Sequence, residues 1–189
     1  MSIDSVASWL RAQPSLAGTA PEFDLGALPH EPVPLFVAWI EAAARAGATE
    51  PHAATLATVD AAGLPDARTL ILKDVDERGW AVAGERSSRK GRQLAGNPAA
   101  ALNFWWQPLV RAVRVQGSVR EASAEESAAD FAARSAAARE GRDEADWVLW
   151  RIEASRIEFW QGALDRRHRR VVYSRSDDGW THELVDAAG

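Results

Sequence analysis

Arg68-Thr69-Leu70-Ile71-Leu72-Lys73 is followed by the turn Asp76-Glu77-Arg78-Gly79 and a second apolar run, Trp80-Ala81-Val82-Ala83. The first run extends over Ala67–Val75. A crossover between parallel strands needs a dozen or more residues, and four cannot supply it. The two runs therefore read as antiparallel neighbours. Upstream, Ala54-Thr55-Leu56-Ala57-Thr58-Val59 leads into the turn Asp60-Ala61-Ala62-Gly63 in the same way. Downstream, Ala99–Trp106 is a strand broken by Gln107-Pro108-Leu109. Val110–Val119 follows, with Val113, Val115 and Val119 on one face and Arg114, Gln116 and Ser118 on the other, the pattern of a half-buried strand. Trp150–Trp160, Val171–Arg175 and Trp180–Val185 complete the set, the last two joined by the hairpin turn Asp177-Asp178-Gly179. The spacing predicts a mainly β chain, an antiparallel barrel of about six strands with peripheral helices.

The helices read from their ends. Ile3–Ala12 places Ile3, Val6, Trp9 and Leu10 on one face. Residues 13–33, rich in Pro, Gly and Ala, form an extended arm. Pro34–Ala46 has Pro34 in its first turn and Gly47 at its C-terminal end. Ser87 or Ser88 caps a short helix through Leu94, stopped by Gly96-Asn97-Pro98. Ser123-Ala124-Glu125-Glu126 is a capping box for an alanine-rich helix to about Ala138, and Arg139–Asp146 is a charged loop. The expected organisation is one domain over residues 1–189: an N-terminal arm, 1–33, and a barrel with helices, 34–189.

Composition removes several function classes. A net charge of -5 argues against a general nucleic-acid binder. With Cys at 0, disulfides, thiolate metal sites and cysteine nucleophiles are excluded. His30, His52 and His182 are scattered without metal-ligand spacing, so no metal is expected. No Gly-x-Ser-x-Gly elbow, Walker loop or Gly-x-Gly-x-x-Gly is present. No apolar run approaches the ~20 residues of a membrane span, and no secretory leader is visible; a cytoplasmic protein is expected.

Three basic groups stand out against the acidic whole. Arg68 and Lys73 lie five apart, so on a regular strand they point to opposite faces unless a bulge intervenes. Two solvated edge charges are an equal reading. Ser87-Ser88-Arg89-Lys90 puts hydroxyls, free backbone N–H groups and two cations at a helix start. Cations are unfavourable there for the helix alone, and a bound anion would reconcile them. A short exposed basic helix is the alternative. Arg166-Arg167-His168-Arg169-Arg170 forms a run that can bind phosphate or carboxylate, or be a solvated loop or a patch for nucleic acid. Four arginines around His168 leave its ring free to accept or shuttle a proton.

Taken together, Arg68–Lys73, Ser88-Arg89-Lys90, and Ile157-Glu158-Phe159-Trp160-Gln161-Gly162 followed by Arg166-Arg167-His168 resemble the pyridoxamine 5'-phosphate oxidase family, from about Leu35 to Val185. The resemblance implies an FMN-binding antiparallel split β-barrel. It further implies a homodimer with FMN at the subunit interface, and oxidation of pyridoxamine or pyridoxine 5'-phosphate to pyridoxal 5'-phosphate with oxygen as acceptor. By position, Arg68, Thr69, Leu70, Ile71, Leu72 and Lys73 line FMN, Arg89 and Lys90 hold its phosphate, and Trp160 and Arg170 reach it across the dimer. Lys73 and Arg134 correspond to residues that hold the substrate phosphate, and Arg166 and His168 to residues beside the substrate ring.

The chain departs from the family at identifiable places. Arg111-Ala112 stands where Arg-Gln is usual, Ala83-Gly84 where a Tyr-Thr type pair is usual, and Asp130 and Ala138 where a Tyr and a Ser hold the substrate phosphate. The segment 139–147 is short and lacks a Gln-Ser flavin contact, and the Arg-Leu-x-Pro ending is missing. These differences leave two alternatives: an FMN oxidase of the same fold acting on another aromatic substrate, as in phenazine-type secondary metabolism, or a non-catalytic flavin- or pyridoxal-phosphate-binding protein.

Overall fold

The computed structural model describes residues 3–185. Eight strands form one antiparallel sheet in the order β3-β2-β1-β4-β5-β6-β7-β8: β1 Ala53–Val59, β2 Pro65–Asp76, β3 Gly79–Glu85, β4 Ala99–Trp106, β5 Arg111–Glu121, β6 Trp147–Gln161, β7 Arg169–Ser176 and β8 Gly179–Leu184. An added β3–β6 pairing closes the first six into a barrel, which abolishes their free edges, and β7–β8 extends beyond it as a flange. The fold class is the one expected, an antiparallel split barrel.

The fifteen-residue β6 makes both parts possible. Trp147–Ile152 pairs with β3, and Arg156–Gln161 pairs with β7, while β5 pairs alongside Trp150–Gln161. The register slips between Gln116 and Gly117, where Ser155 is the extra residue on β6. A bulge at that point lets the strand change neighbours.

Barrel closure buries the alternating apolar residues. Leu56, Leu102, Phe104, Val113, Val115, Ile152, Ile157 and Phe159 are fully buried. The helix α2 (Pro32–Arg45) adds Phe36, whose ring meets Trp80 at 5.6 Å and Phe104 at 5.0 Å, both edge-on. Such aromatic pairs contribute about 1 kcal/mol each beyond the area they bury. Before α2, α1 (Ile3–Arg11) is followed by the arm, which is tied to the sheet by its carbonyls. Pro21, Glu22, Phe23 and Pro29 accept from Gln161, Arg111, Arg169 and Tyr173 respectively. Phe23 is buried with the core. Arg111 is buried against Trp39, its guanidinium 4.0 Å from the ring centroid, with no carboxylate partner among the described residues, and burial pushes its pKa down to about 10.

Around the barrel lie α3 (Arg89–Gly96), α4 (Ala124–Ala132) and α5 (Ala136–Arg139). The alanine-rich helix expected to reach Ala138 is divided in two. Ala133 ends α4, and the hydroxyl of Ser135 accepts from Ala138 N–H to start a new turn. That local hydroxyl cap competes with continuation, which residue propensity does not register. The capping box of Ser123 and Glu126 forms as expected.

α4 is fixed to the barrel by Arg151 of β6. Arg151 is 2% exposed and reaches Asp74, Asp76 and Glu126 at 3.0, 3.2 and 3.1 Å. Arg78 on the β2–β3 turn pairs with Asp76 and Glu126 from outside. The Ser123 backbone N–H and Arg151 pull the Glu126 carboxyl from 4.5 down to about 2. A carboxylate whose folded value is depressed contributes stability that is complete above its ordinary value and lost as pH falls through the folded one. The urea midpoint is therefore expected to fall between pH 4.5 and pH 2, and to fall less steeply in Glu126→Gln. Equal acid sensitivity of the two proteins would contradict this.

Candidate functional site

The basic residues singled out from the sequence separate into three groups. The first surrounds the start of α3. Ser88 caps the helix, its hydroxyl accepting from Gly91 N–H at 3.2 Å. Asp66 gathers the cations, with Arg68 at 2.8 Å and Arg89 at 2.9 Å. Gln93, one turn along from Arg89, completes the set. Its carbonyl oxygen accepts from Arg68 at 2.9 Å and Thr58 at 2.7 Å, and its amide donates to Asp66 at 3.3 Å. Desolvation alone would raise the Asp66 carboxyl, but the Gln93 bond and the charges of Arg68 and Arg89 outweigh it and leave it lowered.

Lys90 is the cation left over. Its Nζ meets the Ser88 hydroxyl at 3.2 Å and lies 5.8 Å from the Trp150 ring centroid. Burial and the nearby Arg68 lower its pKa, with Glu85 acting in the opposite sense. Glu85 itself is held by Arg142 at 2.7 Å. The environment thus disfavours the Lys90 charge in the free protein, and an anion beside it would be welcomed. Lys90 lies over Gly84, where an added Cβ would overlap its Nζ and Cε. Gly84→Ala should therefore turn Lys90 aside while leaving every charge in place. A flavin titration is expected to show about tenfold weaker binding, ~1.4 kcal/mol; an unchanged affinity would mean that Lys90 is not a ligand.

The second group contains Lys73 and Arg134. The β2–β3 register slips between Leu72 and Asp74, making Lys73 the extra residue of a bulge. Its Nζ lies 3.7 Å from Asp130 of α4. Asp130 also accepts from the Trp147 indole N–H at 2.8 Å. Arg134 stacks on the same indole, 4.2 Å from its centroid, and donates to the Ala138 carbonyl at 3.0 Å. Its buried Nε has no hydrogen-bond partner among the described residues. Among the described residues, no hydrogen bond or ion pair joins Lys73 to Arg68.

The third group lies on the outer face of β4–β7. Trp160 is 5.0 Å from His168 and 6.1 Å from Trp105, ring to ring. His168 Nδ1 accepts from Ala163 N–H at 3.0 Å, which places the ring proton on Nε2. Arg170 faces the buried Glu158 at 3.6 Å, and Arg156 and Arg114 approach the same carboxylate at 3.2 and 3.8 Å. A cavity of about 160 Å³ lies between Asn103, Ala112, Arg114, Glu158, Trp160 and Arg170. The basic run 166–170 is not a single site. Arg169 holds the arm, Arg170 faces Glu158, and Arg166 sits exposed in a turn at φ 66°. Of Arg68–Lys73, Thr69 is exposed, Leu70 and Ile71 are half-buried, and Leu72 is buried.

Asp66 and Gln93 were not among the residues drawn from the sequence, while Gly84 and Glu158 entered only as a departure from the family and as one position of the 157–162 motif. Asp66 lies two residues before Arg68 on one strand face, and Gln93 four after Arg89 on one helix face; those spacings were the available signal. Among the described residues no group of His, Asp and Glu has metal-binding geometry, and no helix is long and apolar enough to cross a membrane.

A sequence profile described as pyridoxamine 5'-phosphate oxidase matches residues 40–161. The chain belongs to the pyridoxamine 5'-phosphate oxidase family. A second profile, the pyridoxine 5'-phosphate oxidase C-terminal dimerisation region, covers residues 147–185, the stretch carrying the third group. Relatives within this oxidoreductase family include a pyridoxine/pyridoxamine 5'-phosphate oxidase of Paraburkholderia phytofirmans, 38% identical over 87% of this chain and 94% of its own. Another, from Rubrobacter xylanophilus, is 37% identical over 90% of this chain and 92% of its own. Among solved structures, PhzG from Burkholderia lata, in complex with tetrahydrophenazine-1-carboxylic acid, superposes with a TM-score of 0.81 at 24% identity, covering 89% of this chain and all of that one. A pyridoxamine 5'-phosphate oxidase-related, FMN-binding protein from Nostoc punctiforme gives 0.68 at 19% identity, over 84% of this chain and 99% of its own. These two likenesses concern the fold.

Proposed function

We propose that the protein is an FMN-dependent oxidase working as a homodimer, with the cofactor and substrate in a cleft between subunits. The observation that carries this is the cation cluster at the start of α3. Arg68 and Arg89 are drawn together by Asp66, and Lys90, lying over Gly84, has no carboxylate within ion-pair distance among the described residues. Helix N–H groups and a dipole at that position favour a phosphate. The residues present therefore fit the phosphate of FMN. The run Arg68–Lys73 provides strand main chain alongside it, and Trp160 with Arg170 belongs to the dimerisation segment, placed to act from the second subunit. Ala112, where a glutamine contact is usual, leaves open the cavity beside Trp160.

Bound FMN would supply hydride acceptance and pass the electrons to oxygen. The chain's own residues align the reactants and neutralise charge. Arg166 and His168 lie beside the substrate ring. With Nδ1 occupied by Ala163 N–H, His168 offers Nε2–H as a donor to a ring oxygen or nitrogen. Arg134 and Lys73 face the substrate's anionic group. The substrate carbon gives up a hydride, and the amino nitrogen or hydroxyl oxygen attached to it gives up a proton. For an amine, water then replaces nitrogen to leave an aldehyde and ammonia, and oxygen leaves as hydrogen peroxide.

Pyridoxamine or pyridoxine 5'-phosphate is the substrate that the relatives' names support. A second reading, another aromatic substrate on the same cofactor, is favoured by one contact: Lys73 is already paired with Asp130. Purified protein is expected to carry or take up FMN, with flavin absorbance, and to release peroxide with pyridoxamine 5'-phosphate in the first reading only. Protein that does not bind added FMN would refute both. Tight flavin or pyridoxal-phosphate binding with no peroxide from any substrate would instead indicate a binding protein. Dimer mass in solution tests the assembly independently.

A further inference from the structure

We propose that Asp130 sets the charge of the substrate group this cleft accepts, favouring a ring that bears a single carboxylate over one that bears a phosphate ester. The inference rests on the cleft reading above and sharpens its second substrate alternative.

The local charges argue it. Lys73 and Arg134 are the two cations at the anionic end of the substrate site. Asp130 sits 3.7 Å from Lys73 Nζ and its side chain is only 14% exposed. It cannot swing freely into solvent, because the Trp147 indole N–H holds it at 2.8 Å. The same indole carries Arg134 on its face, so one ring fixes the anion and the second cation together. Two positive charges and one negative leave a net charge of one. A phosphate ester near neutral pH carries close to two negative charges, and would also meet a fixed carboxylate. One carboxylate matches the remaining charge. The Arg134 Nε is buried without a hydrogen-bond partner among the described residues, so the guanidinium is not fully satisfied within the chain. The Ala138 side chain adds no hydroxyl that could bind a further phosphate oxygen, and the Ala138 carbonyl already accepts from Arg134.

The nearest charged groups on neighbouring elements do not alter this sum. On β2, Asp74 is paired with Arg151; on α4, Glu126 is paired with Arg151 and Arg78. Neither carboxylate is left to compensate Lys73, and neither cation is left to add to it.

The test is calorimetry on the purified dimer with three ligands sharing one ring. These are pyridoxine 5'-phosphate, pyridoxine, and the analogue with a carboxylate in place of the phosphate-bearing arm. Wild-type protein is expected to bind the carboxylate at least tenfold more tightly than the phosphate ester. Asp130→Asn keeps an oxygen for the Trp147 N–H and removes the charge, so the fold is retained. It should bind the phosphate ester at least tenfold more tightly than wild type, with pyridoxine affinity unchanged. Arg134→Lys should weaken the carboxylate ligand without reversing the order. Phosphate ester preferred by wild type, an order unaltered by Asp130→Asn, or no binding of any ring ligand would each overturn the proposal. Flavin absorbance of the same samples reports the cofactor reading separately, so one can fail without the other.

Discussion

Lys90→Met is expected to weaken FMN binding about thirtyfold, the effect of losing ~2 kcal/mol of charge-assisted hydrogen bonding to a phosphate. Methionine keeps the length and apolar stem that lie along Gly84 and Trp150, so packing survives. It removes a cation that the free protein holds at a disadvantage, lowered by burial and by Arg68. The variant should accordingly unfold at no lower urea concentration than wild type. The combination distinguishes a ligand residue from a structural one: affinity falls while stability does not. Flavin fluorescence titration and urea denaturation on one preparation decide it. A variant that binds FMN normally, or one that loses flavin only because it unfolds, would show that Lys90 does not hold the phosphate.

Arg151→Met should destabilise the fold by about 3 kcal/mol, the low end for breaking a buried ion pair. The low end applies because Asp74, Asp76 and Glu126 remain 49%, 31% and 30% exposed and can rehydrate. Arg78 also stays to screen them. Asp74 follows the bulged Lys73 directly, and Glu126 lies one turn before Asp130 on α4. Arg151 therefore holds both sides of the Lys73–Asp130 pair in register from beneath. Urea unfolding with an unchanged slope and a lowered midpoint is the expected result. A midpoint shift equivalent to under ~1 kcal/mol would mean that the network is dispensable.

The barrel was legible because its strands carry their own punctuation. Asp60-Ala61-Ala62-Gly63, Asp76-Glu77-Arg78-Gly79 and Asp177-Asp178-Gly179 each sit between apolar runs, and short turns leave antiparallel pairing as the only geometry. Closure was less visible. It depends on β6 serving two partners, and a single strand's alternation does not say how many neighbours it has. The division of the alanine-rich helix at Ser135 was also hidden, because alanine favours helix on both sides of the break. Within the site, Arg89, Lys90 and Ser88 could be placed at a helix start from local signals alone. The separation of Lys73 from Arg68 could not, since a bulge is a property of a pair of strands. Glu158, flanked by Arg114, Arg156 and Arg170, reads in sequence as one acid on an alternating strand; its burial arises from strands brought together over long distances.

The arm has a consequence for the order in which the protein is made. Residues 21–29 emerge from the ribosome early, yet their hydrogen-bond donors are Arg111, Gln161, Arg169 and Tyr173, separated from them by up to 146 positions. Those donors lie on β5, β6 and β7, so the arm's hydrogen bonds to the sheet cannot all form until nearly all of the chain has been synthesised, although Phe23 can already meet Trp39 of α2. Contacts of such long range are the slowest to form. Docking of the arm is thus a late event that follows barrel closure, and an early-made segment must wait, unpaired, for the last strands to arrive.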